Sequence, residues 1–358
     1  MRVVHVGKYY WPYQRGIETY LKTLAEGLNS LCDLTVIVSN DKCETVEETI
    51  GGVNVIRLAR NFHLNSTDFL FGLPKKLKEL KPDIVHIHLP NPWAETAWKL
   101  AGRPGRLFIS YHSDIIRQKF LLKLYAPFHR ATLESAEKII VATPNHVKYS
   151  PFLSKLGEDK TAVVHYGLPK IDFPATRSLA RPFILSVGQL VYYKGFDVLI
   201  KAVADIPDLD LVIVGCGPLE KKLIKLTEDL GIKERVKLPG HVSREELLQY
   251  YADCEFFVLS STFRSEAFGI VQLEAFQAGK PVISTNLPSG VPYVNQNGKT
   301  GIVVPPGDVR ALNEAMKALH GDPEARQRFG SVARERALSD FSAEEMVKRT
   351  FALYSPKA

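Results

Sequence analysis

A chain of 358 residues is about twice the length of a typical single domain, so two domains are the starting expectation. Its 45% hydrophobic and 24% charged residues are those of an ordinary globular protein, and no stretch approaches the roughly 18 unbroken apolar residues of a membrane span. The net charge of +7 lies wholly in residues 1–180, with 24 basic against 17 acidic side chains, and no recognised nucleic-acid motif accompanies it.

In chain order, MRVVHVGKYYWP reads directly into a strand with no apolar signal segment ahead of it, so a cytoplasmic location is expected. A loop to Gly16 and a helix over Glu18–Leu28 follow, then strand-like runs at LTVIVSN, VNVIRLA, IVHIHL, RLFISYH and KIIVAT. Strands alternating with helical patterns predict an α/β fold with mainly parallel sheets, the first of six or seven strands. Between Lys99 and Arg130, basic residues (Arg103, Arg106, Arg117, Lys119, Lys123) interleave with Phe120, Leu121, Leu122, Leu124, Tyr125 and Phe128. That is either a solvated basic helix face or a surface for anionic lipid head groups, and both readings stand. Residues 166–182 lose periodicity and carry three prolines, which predicts an interdomain linker. A second series then runs FILSVG, LDLVIVG, VKLPG, CEFFVLS, PVIST and GIVVPP, with helices around Phe196–Val203, Leu219–Leu230, Arg244–Ala252 and Val271–Ala278. Ser342 with Glu345 three residues later is a capping box opening a terminal helix. The expected domains are 1–170 and 171–340, with the helix in 341–358 packing back on the first. Cys32, Cys43, Cys216 and Cys254 lie far apart without a CxxC pair, so reduced structural thiols are expected.

The chemistry concentrates in SSTFRSEAFGIVQLEAFQAGKPV, residues 260–282. A strand leads through a polar loop to Phe268-Gly269 and a helix starting near Ile270. That places Glu266 just before the helix and Glu274 about one turn inside it. A pyrophosphate suits such an N-terminus, Gly269 lets backbone approach it, and carboxylates beside it accept hydroxyl hydrogen bonds. On spacing alone a helix-dipole partner and a solvated helical residue remain the plainer reading. His86 and His88 share one strand face, but no carboxylate or third ligand joins them in sequence, so packing is the expected role.

This segment resembles the E-x7-E signature of glycosyltransferase family 4, retaining transferases of GT-B fold. Ala275, Ala278-Gly279 and Pro281-Val282 match its continuation. The likeness extends along nearly the whole chain, through KYYWPYQRGIETYLKTLA, PDIVHIHLP, SYHSD, VVHYGL, SVGQLVYYKGFDVLI and VIVGCGP. It implies two Rossmann-like domains facing across a cleft, the first binding acceptor and the second a nucleoside diphosphate sugar. It also assigns roles: Lys194 neutralises the donor diphosphate, Glu274 holds ribose hydroxyls and Glu266 holds sugar hydroxyls. The Phe268, Gly269 and Ile270 amides lie near sugar and phosphate, and Gly215 and Gly217 belong to the nucleotide loop. His112 reaches toward the donor sugar, and Gly16 marks the loop nearest the phosphates. Two departures stand out. Gln189 replaces a usual Arg and supplies no charge, and Arg15 replaces the first of two usual glycines.

The implied reaction is metal-independent, since Asp208-Leu209-Asp210 merely introduces a strand and no other DxD-like motif sits at a strand end. YHSDIIRQKF and VGQLVYYKGFD look most like transferases that use GDP-mannose in surface polysaccharide synthesis, with UDP-hexoses the runner-up and a saccharide or lipid-linked saccharide as acceptor. That gives a cytoplasmic enzyme with a peripheral membrane contact. A sugar-nucleotide epimerase and a silent nucleotide-sugar-binding protein remain as alternatives.

Overall fold

The computed structural model describes the chain except residues 14, 116–118, 178–180 and 356–358, together with the side chains of 119–122. The expectations resting on the side chains of Arg117, Lys119, Phe120, Leu121 and Leu122 therefore lie outside the described residues. Two compact units emerge: Met1–Pro169 with Ser342–Ala358, and Lys170–Phe341.

Unit 1 runs β1 (Arg2–Val6), α1 (Gly16–Leu28), β2 (Asp33–Ser39), β3 (Val46–Ile50), β4 (Val53–Leu58), β5 (Phe62–Leu64), β6 (Thr67–Phe69), α2 (Leu73–Leu80), β7 (Ile84–Leu89), α3 (Pro92–Leu100), β8 (Arg106–Tyr111), α4 (Lys119–Ser135), β9 (Lys138–Val141), α5 (Pro144–Tyr149) and β10 (Thr161–Val163). Its sheet has eight strands in the order β10-β9-β8-β7-β1-β2-β4-β3, more than the six or seven expected. The additions are β3, a polar edge strand antiparallel to β4, and the short β10. Central strands such as β7 are buried along their whole length because helices cover both faces of a parallel sheet. Each fully buried Val, Leu or Ile there contributes about 1.5–3 kcal/mol. A separate hairpin, β5–β6, turns through Asn65 and Ser66, both at positive φ as a two-residue primed turn requires.

Unit 2 runs β11 (Phe183–Val187), α6 (Phe196–Ala204), β12 (Asp210–Val214), α7 (Glu220–Asp229), β13 (Val236–Gly240), α8 (Arg244–Asp253), β14 (Phe257–Leu259), α9 (Val271–Gln277), β15 (Val282–Thr285), α10 (Val291–Val294), β16 (Gly301–Val304), α11 (Val309–Gly321) and α12 (Pro323–Ser339). Its six parallel strands lie in the order β13-β12-β11-β14-β15-β16. The last helix, α13 (Ala343–Tyr354), belongs to unit 1 and packs on α1. Ser342 caps it as expected, its hydroxyl accepting from the Glu345 N–H at 3.2 Å.

Strand order reverses between β1 and β7 in unit 1 and between β11 and β14 in unit 2. Open α/β sheets bind ligands beyond the carboxyl ends of strands at such reversals.

Candidate active site

In unit 2 the loop leaving β11 meets the loop leaving β14, at the reversal. Thr262 N–H donates to the Tyr193 carbonyl at 2.8 Å, and the Ser260 hydroxyl donates to the Lys194 carbonyl at 2.9 Å. Gly195, at φ 66°, passes so close that a Cβ would sit 2.2 Å from the Ser260 carbonyl oxygen. This stitching brings the Lys194 ammonium to 2.6 Å from the Glu266 carboxylate, on the same oxygen that accepts the Ser261 hydroxyl at 2.9 Å. Both side chains are about nine-tenths buried. Burial by itself pulls the Lys194 ammonium down, but the Glu266 carboxylate and Tyr193 outweigh it, and the pKa stands raised. A desolvated ammonium held charged is suited to meet an anion.

Around this pair lie further residues singled out from sequence. Gly269 adopts φ 74°, and among the described residues the N–H groups of Gly269 and Ile270 find no acceptor. Phe268 is buried and contacts Phe341 edge-to-face. The helix they open, α9, is only seven residues long, so its free N–H groups matter more there than a long macrodipole. Gly215 and Gly217 are glycine for packing as well: a Cβ would lie 2.1 Å from the Gly188 oxygen at the first and 2.6 Å from the Leu190 oxygen at the second. Gln189 is exposed beside them.

Glu274 is engaged by partners that sequence reasoning missed. One carboxylate oxygen accepts from Arg244 at 2.6 Å and the other from the Tyr251 hydroxyl at 2.9 Å, both on α8. The carboxylate is thereby fixed in rotamer, an arrangement suited to receiving a ribose diol. Glu274→Ala is expected to raise the donor KM about ten-fold with a smaller change in kcat, read from initial rates across donor concentrations.

In unit 1, Gly16 opens α1 with nothing within 4 Å of where a Cβ would stand. His112 follows β8 and is 3% exposed. Its Nε2 lies 3.1 Å from His88 Nδ1 and its Nδ1 bonds the Tyr166 hydroxyl, so both ring nitrogens are engaged within the unit. His86 and His88 are packed as expected, buried with rings stacked at 4.8 Å, but each also joins a polar chain that includes His5.

The reversal between β1 and β7 holds a recess lined by Gly7, Lys8, Ser66, Asp68 and Asn91. Asp68 is 6% exposed; one oxygen meets His63 Nδ1 at 2.6 Å, while the other has no hydrogen-bond partner among the described residues. Nothing in the sequence around Asp68 marked it, because its meaning comes from the β5–β6 hairpin carrying it to β1. Burial followed by the Asp68 carboxylate pushes the nearby Tyr9 phenol up to about 12.

On α4 the described residues Lys123, Leu124, Pro127 and Arg130 are exposed, while His129 and Leu133 are buried, so the helix presents a basic face. Among the described residues no helix is long and apolar enough to cross a membrane.

Comparison with known proteins agrees with this geometry. Residues 14–169 match the family described as Glycosyltransferase Family 4, and residues 169–336 match Glycosyl transferases group 1. The O-antigen chain mannosyltransferase C of Escherichia coli is 34% identical over 99% of this chain and 98% of its own. The D-rhamnosyltransferase WbpZ of Pseudomonas aeruginosa is 36% identical, covering 96% of this chain and 93% of its own. A GDP-mannose-dependent phosphatidylinositol monomannoside mannosyltransferase of Mycolicibacterium smegmatis is 35% identical over 92% of each. Among solved structures, sucrose-phosphate synthase from Thermosynechococcus elongatus superposes with TM-score 0.82 at 22% identity, covering 99% of this chain and 98% of its own. HepE from Anabaena in complex with UDP-glucose gives 0.78 at 19% identity, covering 98% of each, and both neighbours share the GT-B fold. With identity above 30% to such enzymes over nearly its whole length, this chain belongs to glycosyltransferase family 4.

Proposed function

We propose that the protein moves a hexosyl group, most readily mannosyl from GDP-mannose, to a hydroxyl of a saccharide or lipid-linked saccharide, with retention and without a metal. The observation that carries this reading is the Lys194–Glu266 pair beside the Gly269 and Ile270 amides. In the reaction the bond from the anomeric carbon to the diphosphate oxygen breaks. The acceptor oxygen bonds on the same face, and its proton passes to the departing phosphate. Negative charge grows on the leaving diphosphate, where Lys194, the two amides and Gln189 meet it. Glu274 holds the ribose and Glu266 the sugar hydroxyls. Donor binding therefore divides Lys194 and Glu266 between phosphate and sugar, partners that each now finds in the other. The family resemblance assigns His112 a role toward the donor sugar. The recess lined by Asp68, one of whose carboxylate oxygens has no partner among the described residues, is read as the place of an acceptor hydroxyl.

The mannosyl reading draws support from the relatives' names, two of which are mannosyltransferases. A UDP-hexose donor is the second reading, favoured by the UDP-glucose bound to HepE. A thermal-shift panel of GDP, UDP, ADP and their sugars decides between them; the largest stabilisation is expected from GDP and GDP-mannose. Transfer is expected to persist undiminished in EDTA, and a full requirement for added Mg²⁺ or Mn²⁺ would overturn the metal-free reading. The basic face of α4 is read as a peripheral contact with anionic lipid: co-sedimentation with vesicles containing phosphatidylglycerol is expected, weakening with salt as screening dictates.

A further inference from the structure

Four histidines, one on β1, two on β7 and one just past β8, form one continuous polar chain through the interior of unit 1. His112 Nδ1 bonds the Tyr166 hydroxyl and its Nε2 meets His88 Nδ1 at 3.1 Å. His88 Nε2 meets His5 Nδ1 at 3.1 Å, and His5 Nε2 meets the Tyr354 hydroxyl at 3.0 Å. The same phenol bonds His86 Nδ1, and His86 Nε2 meets the Ser110 hydroxyl at 2.8 Å, which in turn meets Tyr20 at 3.1 Å. All eight residues are buried. Burial holds His5 and His112 down to about 3, and His86 and His88 well below their ordinary value, so every imidazole is neutral with one N–H and one bare nitrogen.

That inventory leaves few arrangements. Each nitrogen–nitrogen contact needs one N–H and one lone pair, and a phenol or serine hydroxyl has one proton to give. If Tyr166 donates to His112, then His112, His88, His5 and His86 all carry their proton on Nε2, with Tyr354 receiving from His5 and donating to His86. If Ser110 donates to His86 and Tyr354 to His5, all four carry it on Nδ1. Within His5, His88 and His112 any mixture sets two lone pairs or two protons against each other, and parting His86 from them leaves either a bare nitrogen without a donor or the Tyr354 proton without an acceptor in a dry interior, which is costly. His5, His86 and His88 also offer nitrogens within 4.8 Å of one another, but every ring nitrogen of the three already has a partner in the chain.

We propose that Tyr354, His5, His86 and His88 are positioning residues that fix, as one unit, which nitrogen of His112 bears its proton, and so tie the last turn of α13 to His112. The link to transfer rests on the proposed role of His112; the common tautomer does not. A long-range ¹H–¹⁵N correlation on the full chain with ¹⁵N-labelled histidine distinguishes protonated from bare ring nitrogens. The expected result is one tautomer shared by all four imidazoles in the unaltered protein, and a mixture among them overturns the proposal. In Tyr354→Phe the phenol bridge is lost, and the tautomer of His86 is expected to part from those of His5, His88 and His112. The kcat for transfer is then expected to fall on the order of ten-fold with donor KM unchanged, as for other residues that orient a reacting group. Unchanged kcat in a folded Tyr354→Phe variant overturns the positioning role. If the unaltered protein transfers no sugar at all, the functional reading fails while the tautomer result still decides the chain.

Discussion

Lys194→Ala is expected to lower kcat/KM for transfer by roughly 10²–10³, the scale for losing a preorganised group aimed at developing negative charge. The donor also binds less well, so the GDP-induced rise in melting temperature shrinks. This substitution carries a second cost. Glu266 is left nine-tenths buried with the Ser261 hydroxyl as its remaining side-chain partner among the described residues, and breaking a buried ion pair from one side typically destabilises by about 3–5 kcal/mol. Rates must therefore be taken well below the melting transition of the variant, measured alongside. Full activity in a folded Lys194→Ala protein would remove the electrostatic basis of the proposed reaction.

Glu266→Gln separates the sugar from the phosphate. The amide keeps the shape of the carboxylate but loses its charge, so transfer is expected to fall by roughly 10². GDP alone should bind as tightly as before or more tightly, because the Lys194 ammonium no longer has a carboxylate competing for it at 2.6 Å. The paired readout is transfer rate and GDP thermal shift. Weaker GDP binding with normal sugar transfer would reverse the roles given to this residue.

The parallel strands were legible because burial on both faces writes itself as largely apolar runs such as IVHIHL and DLVIV. The edge strand VEETI was not, since it is largely solvated and its pairing depends on β4 rather than on its own side chains. The β5–β6 hairpin was hidden for another reason: its positive-φ turn is built from Asn65 and Ser66, without the glycine that usually announces one. Helices α11 and α12 went unremarked although Asp308 and Asp322 cap them, accepting from Ala311 and Ala325. At the site, Glu266 and Glu274 were singled out by context and family resemblance, but their partners were not. Lys194 lies 72 positions from Glu266 and Arg244 lies 30 from Glu274, and only the folded loops bring each pair together. His86 and His88 could be placed on one face from period-two spacing. His5 and Tyr354 could not, being 349 positions apart and joined through a single phenol.

The route of the chain has a practical corollary. Unit 2 is an insertion: Leu168 and Ser342 bridge each other on either side of it, so the whole of Lys170–Phe341 interrupts unit 1 at a single place. The second sheet can thus be excised as one uninterrupted fragment, with its own apolar interior and both cut ends at that bridge. The first cannot be obtained by stopping synthesis early. A fragment ending before Ser342 loses the phenol between His5 and His86 and the Arg106 contact to the Tyr354 carbonyl, exposing the β1 and β8 face that the final helix covers. Only a splice joining Pro169 to Ser342 through a short loop would yield it whole.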